Sequence, residues 1–187
     1  MVAAAGQAQG FDDVMNMDFL STFPVWQGLL IALAVVVAME IIAYAVHRWV
    51  MHGPLGWGWH ASHHEPRTGI FEKNDLYAVV FAVLATALFT IGATSGPVWL
   101  WYVALGTTLY GLLYFIAHDG LVHQRWPFRI VPKSGYAQRL YQAHRLHHAV
   151  DGREGCVSFG FLYTPPVRVL KEQLKRNQSV RSREYRG

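Results

Sequence analysis

The chain is 187 residues long, a length for one domain, and is read as a single unit over 1–187. Hydrophobic residues make up 52% and charged residues only 15%, against roughly 25% charged in an ordinary soluble protein, so the composition leans toward a membrane protein. One cysteine, Cys156, excludes an intrachain disulfide and a cysteine-based zinc site, and the net charge of +4 brings no expectation of a nucleic-acid partner.

Residues 1–22 form an N-terminal tail without Lys or Arg, so no basic stretch marks a cleaved leader. Three apolar runs follow. They are "VWQGLLIALAVVVAMEIIAYAV" at 25–46, "LYAVVFAVLATALFTIGAT" at 76–94 and "PVWLWYVALGTTLYGLLYFIA" at 97–117. Each approaches the ~20 residues that cross a bilayer as a helix. The last two carry no charge and are separated by Ser95-Gly96, which predicts a tight helical hairpin. Seven Trp and nine Tyr suit long membrane–water interfaces. The expected fold class is all-α, a multi-pass membrane protein of three helices, or four if "VSFGFLYTPPV" enters the membrane. Buried helices of a soluble bundle are the alternative, but such helices rarely run this long without a polar face.

All 16 basic residues fall at 47–75 or 118–187. The positive-inside rule makes those regions cytoplasmic, with the N-terminus outside and the C-terminus inside, a multi-pass arrangement in the inner (cytoplasmic) membrane. The basic tail, 168–187, is expected to lie on anionic lipid or in solvent.

The ten histidines occupy the same two regions. His47 and His52 form H-x4-H, and His60, His63 and His64 form H-x2-H-H. His118 and His123 repeat the first pattern; His144, His147 and His148 repeat the second. On a helix, positions i, i+3 and i+4 share a face, so each triplet is expected to aim three imidazoles at one point. Five residues turn an α-helix by about 140°, which splays the H-x4-H pairs. A helix end or kink near Gly53-Pro54 or Gly120 would bring them back together.

Neutral imidazole suits iron, zinc, copper and nickel. Two closed zinc sites would use eight ligands, whereas two six-coordinate irons could take about five imidazoles each and keep a position open for oxygen. No Glu-x-x-His of a carboxylate-bridged di-iron bundle is present, and no H-E-x-x-H of a zinc protease. A bis-histidine haem would place its ligands within the spans rather than just outside them.

The boxes "HRWVMH", "HASHH", "HDGLVH" and "HRLHH" resemble those of the membrane histidine-box oxygenases, the fatty acid hydroxylase superfamily. The flanks "WGWHASHHEPRTGIFEKNDLYAVVFA", "AHDGLVHQRWPF" and "RLYQAHRLHHAVDGREGCVSFGF" are similar to its bacterial β-carotene hydroxylase branch, so that the resemblance covers about 40–165. The resemblance implies a non-haem di-iron monooxygenase that uses O2 and two electrons to hydroxylate carbon 3 of a β-ionone ring. β-Carotene would become β-cryptoxanthin and then zeaxanthin, and canthaxanthin would become astaxanthin. It also implies electrons from ferredoxin and a reductase, and the absence of a G-x-G-x-x-G motif agrees with an external donor.

All ten histidines are therefore candidate metal ligands. Glu65, Asp119, Asp151, Glu154 and the intramembrane Glu40 are candidate partners of their ring N–H groups. Tyr110, Tyr114, Phe115, Trp99 and Trp101 are candidates to line the substrate path, although ordinary helix packing accounts for any one of them. A fatty acyl or sterol hydroxylase or desaturase with the same metal core is the alternative enzyme. A membrane metal-binding protein without catalysis is the alternative outside that class, and it would favour ionisable groups along the spans, where only Glu40 stands.

Overall fold

The structure, a computed structural model, describes residues 17–184. It is all helical among those residues, with no strand. The helices are α1 (Val25–Ala45), α2 (Trp57–His64), α3 (Leu76–Thr94), α4 (Trp99–Tyr114), α5 (Gly135–His147) and α6 (Val167–Glu184). Short 3-10 turns occur at Met17–Thr22 and Lys73–Asp75. The tail expected at 1–22 falls mostly outside the described residues.

Among the described residues, three helical stretches are long and apolar enough to cross a membrane: Val25–Met51, Lys73–Thr94 and Trp99–Val122. They match the three expected runs. Their outer faces stay apolar, as at Leu33, Ile41 and Val83, each more than 60% exposed, which suits lipid and not water. Backbone groups in hydrocarbon must be satisfied within the helix. The hydroxyls of Thr86, Thr90 and Thr94 follow the same rule, each donating to the carbonyl four residues back at 2.8–2.9 Å.

The chain divides into two compact units. The first comprises residues 1–37 and 80–109. Small residues let its helices meet closely: a Cβ on Gly106 would stand 2.7 Å from the Val35 side chain, so no larger residue fits there. Tyr102 and Ala104 are buried in the same unit, and Trp101 packs edge-on against Phe19 and Phe89.

The second unit comprises residues 38–79 and 110–187, and it contains every histidine. Helix α6 is the main addition to the sequence expectation. The tail at 168–187 reads as polar, yet 167–184 is helical, with Leu170 and Leu174 buried against Ala143, Val150, Cys156, Val157 and Phe159. Their four-residue spacing puts both leucines on one stripe of an otherwise charged helix. The "VSFGFLYTPPV" stretch is not helical before Val167. It forms an irregular loop in which Ser158 takes a left-handed conformation (φ 61°) and its hydroxyl pairs with buried Thr164 at 3.0 Å.

Candidate metal centre

Each H-x4-H pair sits on a π-helical turn rather than at a kink. Helix α1 runs into Val46–Met51 and α4 into Phe115–Val122, both π-helical. The backbone N–H of His52 donates to His47 O (3.0 Å), and that of His123 to His118 O (2.8 Å). An i→i+5 bond closes the turn with one extra residue, so positions five apart lie over one another. Two rings that an α-helix would splay therefore point the same way. Such insertions recur at functional sites, because the surroundings must stabilise an otherwise unfavourable turn.

The H-x2-H-H triplets depart from the sequence expectation as well. They do not converge on one point each. The nitrogens of His47, His52, His60 and His147 form one group, and those of His63, His118, His123 and His144 a second. Within each group all ligand atoms lie within 4.8 Å of one another. Thus α2 sends His60 to the first cluster and His63 to the second, while α5 sends His144 to the second and His147 to the first. His64 and His148 stack on each other (centroids 4.5 Å apart, 26° between planes) beside both clusters.

Hydrogen bonds fix which ring nitrogen holds the proton. In the first cluster Nδ1 of His47 donates to Phe159 O (2.8 Å), that of His52 to Arg153 O (2.8 Å), and that of His147 to Val157 O (2.9 Å). Nδ1 of His60 donates to Asn74 Oδ1 (2.7 Å). A carbonyl oxygen only accepts, so Nδ1 carries hydrogen and Nε2 presents a lone pair. Yet Nε2 of His60 lies 3.2 Å from Nε2 of His47 and 3.1 Å from that of His52, and the His52–His147 pair stands at 3.2 Å. Lone pairs cannot hydrogen-bond to one another.

An imidazolium would resolve the conflict, but burial opposes the charge. It pushes His60 down to about 3 and holds His147 well below the usual 6.5. A cation between the rings resolves it instead. Two nitrogens bonded to one ion at about 2.1 Å stand roughly 3.0–3.4 Å apart, so the donor set fits a metal.

The second cluster has the same inner geometry. Nε2 of His144 lies 2.8 Å from Nε2 of His123 and 2.9 Å from that of His148. The buried Nε2 atoms of His63, His64 and His118 have no hydrogen-bond partner at all. Burial pushes His123 down to about 3, His148 to about 2 and His64 to about 4, so these imidazoles are neutral at neutral pH and could offer Nε2 to a cation.

Behind this cluster the acceptors are carboxylates: His63 Nδ1 donates to Glu72 Oε2 (3.1 Å) and His118 Nδ1 to Asp119 Oδ1 (2.7 Å). Arg125 grips both oxygens of Asp75 at 2.8 Å and reaches Asp119 at 3.4 Å. The Asp75 bonds and the neighbouring carboxylates raise its pKa further. Burial raises the Glu72 carboxyl, against the pull of Arg125.

Of the expected partners of ring N–H groups, Asp119 is one. Asp151 acts on His64 through its charge alone, Glu154 is exposed and pairs with Arg153, and Glu65 is exposed beyond the end of α2. Glu40 touches no histidine. Its carboxylate accepts from the backbone N–H groups of Phe161 (3.0 Å), Leu162 (3.1 Å) and Tyr163 (2.9 Å), and from the Tyr110 hydroxyl (2.8 Å).

That turn carries Phe161, which stacks on His47 (4.9 Å, 9°) and meets His118 edge-on (5.2 Å). Tyr114 stacks on His118 (4.5 Å, 20°) and meets Phe161 edge-on. Phe115 is half exposed near Trp126. Trp99 and Trp101 belong to the other compact unit.

Sequence reasoning missed Glu72 and Asn74. Asn74 stands on the 3-10 turn before α3 and Glu72 caps its start, where the side chains of Glu72 and Asp75 cap each other's backbone. The quoted stretch "FEKND" contains them, but no spacing relates them to a histidine. It also missed the backbone carbonyls of Val150, Arg153, Val157 and Phe159, which take the Nδ1–H of His64, His52, His147 and His47. Carbonyls leave no trace in a sequence.

Comparison with known proteins agrees with this architecture. The family model described as fatty acid hydroxylase matches residues 32–165. A "Beta-carotene hydroxylase" of Paracoccus sp. (strain PC1) is 67% identical over 157 residues, 84% of this chain and 96% of that protein. One from Pantoea ananas is 56% identical over 159 residues, 84% of this chain and 89% of that protein. A "Beta-carotene 3-hydroxylase 2, chloroplastic" of Arabidopsis thaliana is 38% identical over 156 residues, 80% of this chain and 50% of that protein. No solved structure matches. With its boxes, its helices and its paired histidine clusters, the chain belongs to the fatty acid hydroxylase family.

Proposed function

We propose that the chain is a membrane β-carotene 3-hydroxylase, a non-haem di-iron monooxygenase that converts β-carotene to β-cryptoxanthin and then zeaxanthin. The observation that carries the metal reading is the convergence of Nε2 lone pairs in two buried clusters. The substrate reading comes from relatives named for β-carotene at 56–67% identity. On this reading His47, His52, His60 and His147 hold one iron and His63, His118, His123 and His144 the other, with His64 and His148 beside both.

When bound, the ions would supply the redox chemistry: with O2, two electrons and two protons, a ring C–H becomes C–OH and the second oxygen atom leaves as water. The electrons come from an external donor of the ferredoxin type.

The protein's own work is to hold and to exclude. Nδ1–H bonds to carbonyls and carboxylates keep each ring in the tautomer that offers Nε2. Phe161 and Tyr114 form an aromatic wall against both clusters. Tyr114 is one helical turn from His118 toward the span, so a ring end rising out of the bilayer would meet this wall first. The wall is apolar, suits a cyclohexenyl ring, and keeps bulk water from the ligands.

The test is co-expression in a bacterium that already makes β-carotene, with pigments separated by chromatography. Peaks at β-cryptoxanthin and zeaxanthin are expected, and are lost in His144→Ala. Unchanged β-carotene, with the chain present in the membrane and a ferredoxin supplied, would overturn the substrate; canthaxanthin, then acyl and sterol lipids, would be tried next.

A further inference from the structure

The two clusters are related by an exchange of the repeated boxes. His47 corresponds to His118, His52 to His123, His60 to His144, His63 to His147 and His64 to His148. Applied to the first cluster, this exchange yields the second, member for member. The His64–His148 stack joins the one pair of corresponding residues that meet face to face. The inner ligand sets are thus a pseudo-twofold pair.

The outer hydrogen bonds break that symmetry. His47 leans on the backbone carbonyl of Phe159, whereas its counterpart His118 leans on the carboxylate of Asp119. His147 leans on the carbonyl of Val157, whereas its counterpart His63 leans on Glu72. His60 has the amide oxygen of Asn74. All four acceptors behind the first cluster are neutral: three backbone carbonyls and one side-chain amide. A carboxylate drawing on Nδ1–H makes the imidazole a stronger donor at Nε2 and adds negative charge near the ion. Arg125 holds Asp119 in place without removing its bond to His118.

Building on the two-ion reading above, we propose that the two positions are inequivalent. The ion among His63, His118, His123 and His144 is held more tightly, and Glu72 and Asp119 are the positioning residues responsible.

The full-length chain, purified in detergent with the iron it acquires in the cell, is challenged with graded concentrations of a ferrous chelator, and the iron remaining per chain is counted. Release from the wild-type chain should be biphasic, one ion leaving well before the other. Asp119→Asn should weaken the tightly held ion by roughly 10–100-fold and leave the other phase in place. Asn74→Asp, which swaps an amide for an isosteric carboxylate behind His60, should move the weakly held ion toward the tight one. A role in folding alone would not produce that gain, and it keeps the proposal testable should Asp119→Asn fail to accumulate.

Release of two ions in one phase, unmoved by either variant, would overturn the inequivalence and leave the two-ion reading standing. So would a variant that shifts both phases equally. A wild-type chain that takes up fewer than two ions even when ferrous iron is added back in excess would instead overturn the two-ion reading, and this inference with it.

Discussion

Asn74 and Glu72 show how much a residue's partner decides. Each is a polar side chain at the 3-10 turn before an apolar helix, and each receives the Nδ1–H of a different clustered histidine. By contrast Glu65 and Glu154 stand next to boxes in sequence and face away. Removing a ligand and removing a neighbour should therefore differ sharply. His60→Ala should abolish hydroxylation and reduce bound metal, while Glu154→Ala should leave both unchanged; pigment analysis and metal content per chain check this pair. Gly160 is a second instance. A Cβ there would stand 2.8 Å from Glu40 Oε1, so Gly160→Ala should cost roughly 1–3 kcal/mol by displacing the turn, read as a lower unfolding temperature in detergent.

At the scale of an element, the loop from 150 to 164 is the frame of the first cluster. Four of its carbonyls orient four histidines, and Glu40 pins its far end through three backbone N–H groups. An intramembrane acid reads from the sequence as a site candidate, whereas here it acts as the acceptor for a turn whose backbone would otherwise be unsatisfied. Glu40→Gln turns one oxygen into a donor that faces donors. It should cost about 1–3 kcal/mol, and Tyr110→Phe, which removes one bond, about 1 kcal/mol. Thermal unfolding in detergent measures both. Helix α6 backs the same loop through Leu170 and Leu174. Truncation after Pro166 should uncover Val157 and Phe159 and lower metal retention, which iron content of the purified chain would report.

For the whole molecule, pH and topology give the clearest tests. Without metal, His60 and His123 stay neutral in the folded state down to about 3, although the ordinary imidazole value is 6.5. Between those values the unfolded chain binds more protons than the folded one. Stability therefore falls as pH drops below 6.5 and keeps falling toward 3. Bound metal competes with protons for Nε2, so the loaded chain should resist acid further than the stripped one, as unfolding temperatures across pH would show. The orientation proposed from the basic residues predicts that, with Cys156 replaced by Ser, Ser134→Cys is labelled by thiol reagents only from the cytoplasmic side and Ser95→Cys only from the other. Reversed labelling would overturn it.

The spans and the ten ligand candidates were legible in the sequence, because hydropathy and a repeated histidine spacing are local properties of the chain. Lipid demands unbroken apolar helices, and each H-x2-H-H box sets its imidazoles on one short stretch of chain whatever surrounds it. The division of labour was not legible. Which histidine serves which cluster depends on how α2 and α5 face each other, and the π-turns that align His47 with His52 and His118 with His123 are paid for by distant contacts. The partners of the ring N–H groups lie up to 112 residues away, and several are backbone oxygens that any side chain would supply. Sequence composition and spacing determined that a membrane chain carries two matched sets of imidazoles. Only tertiary packing decided that one set leans on neutral oxygens drawn mostly from a distant loop, and that Glu72 joins Asp119 behind two members of the other.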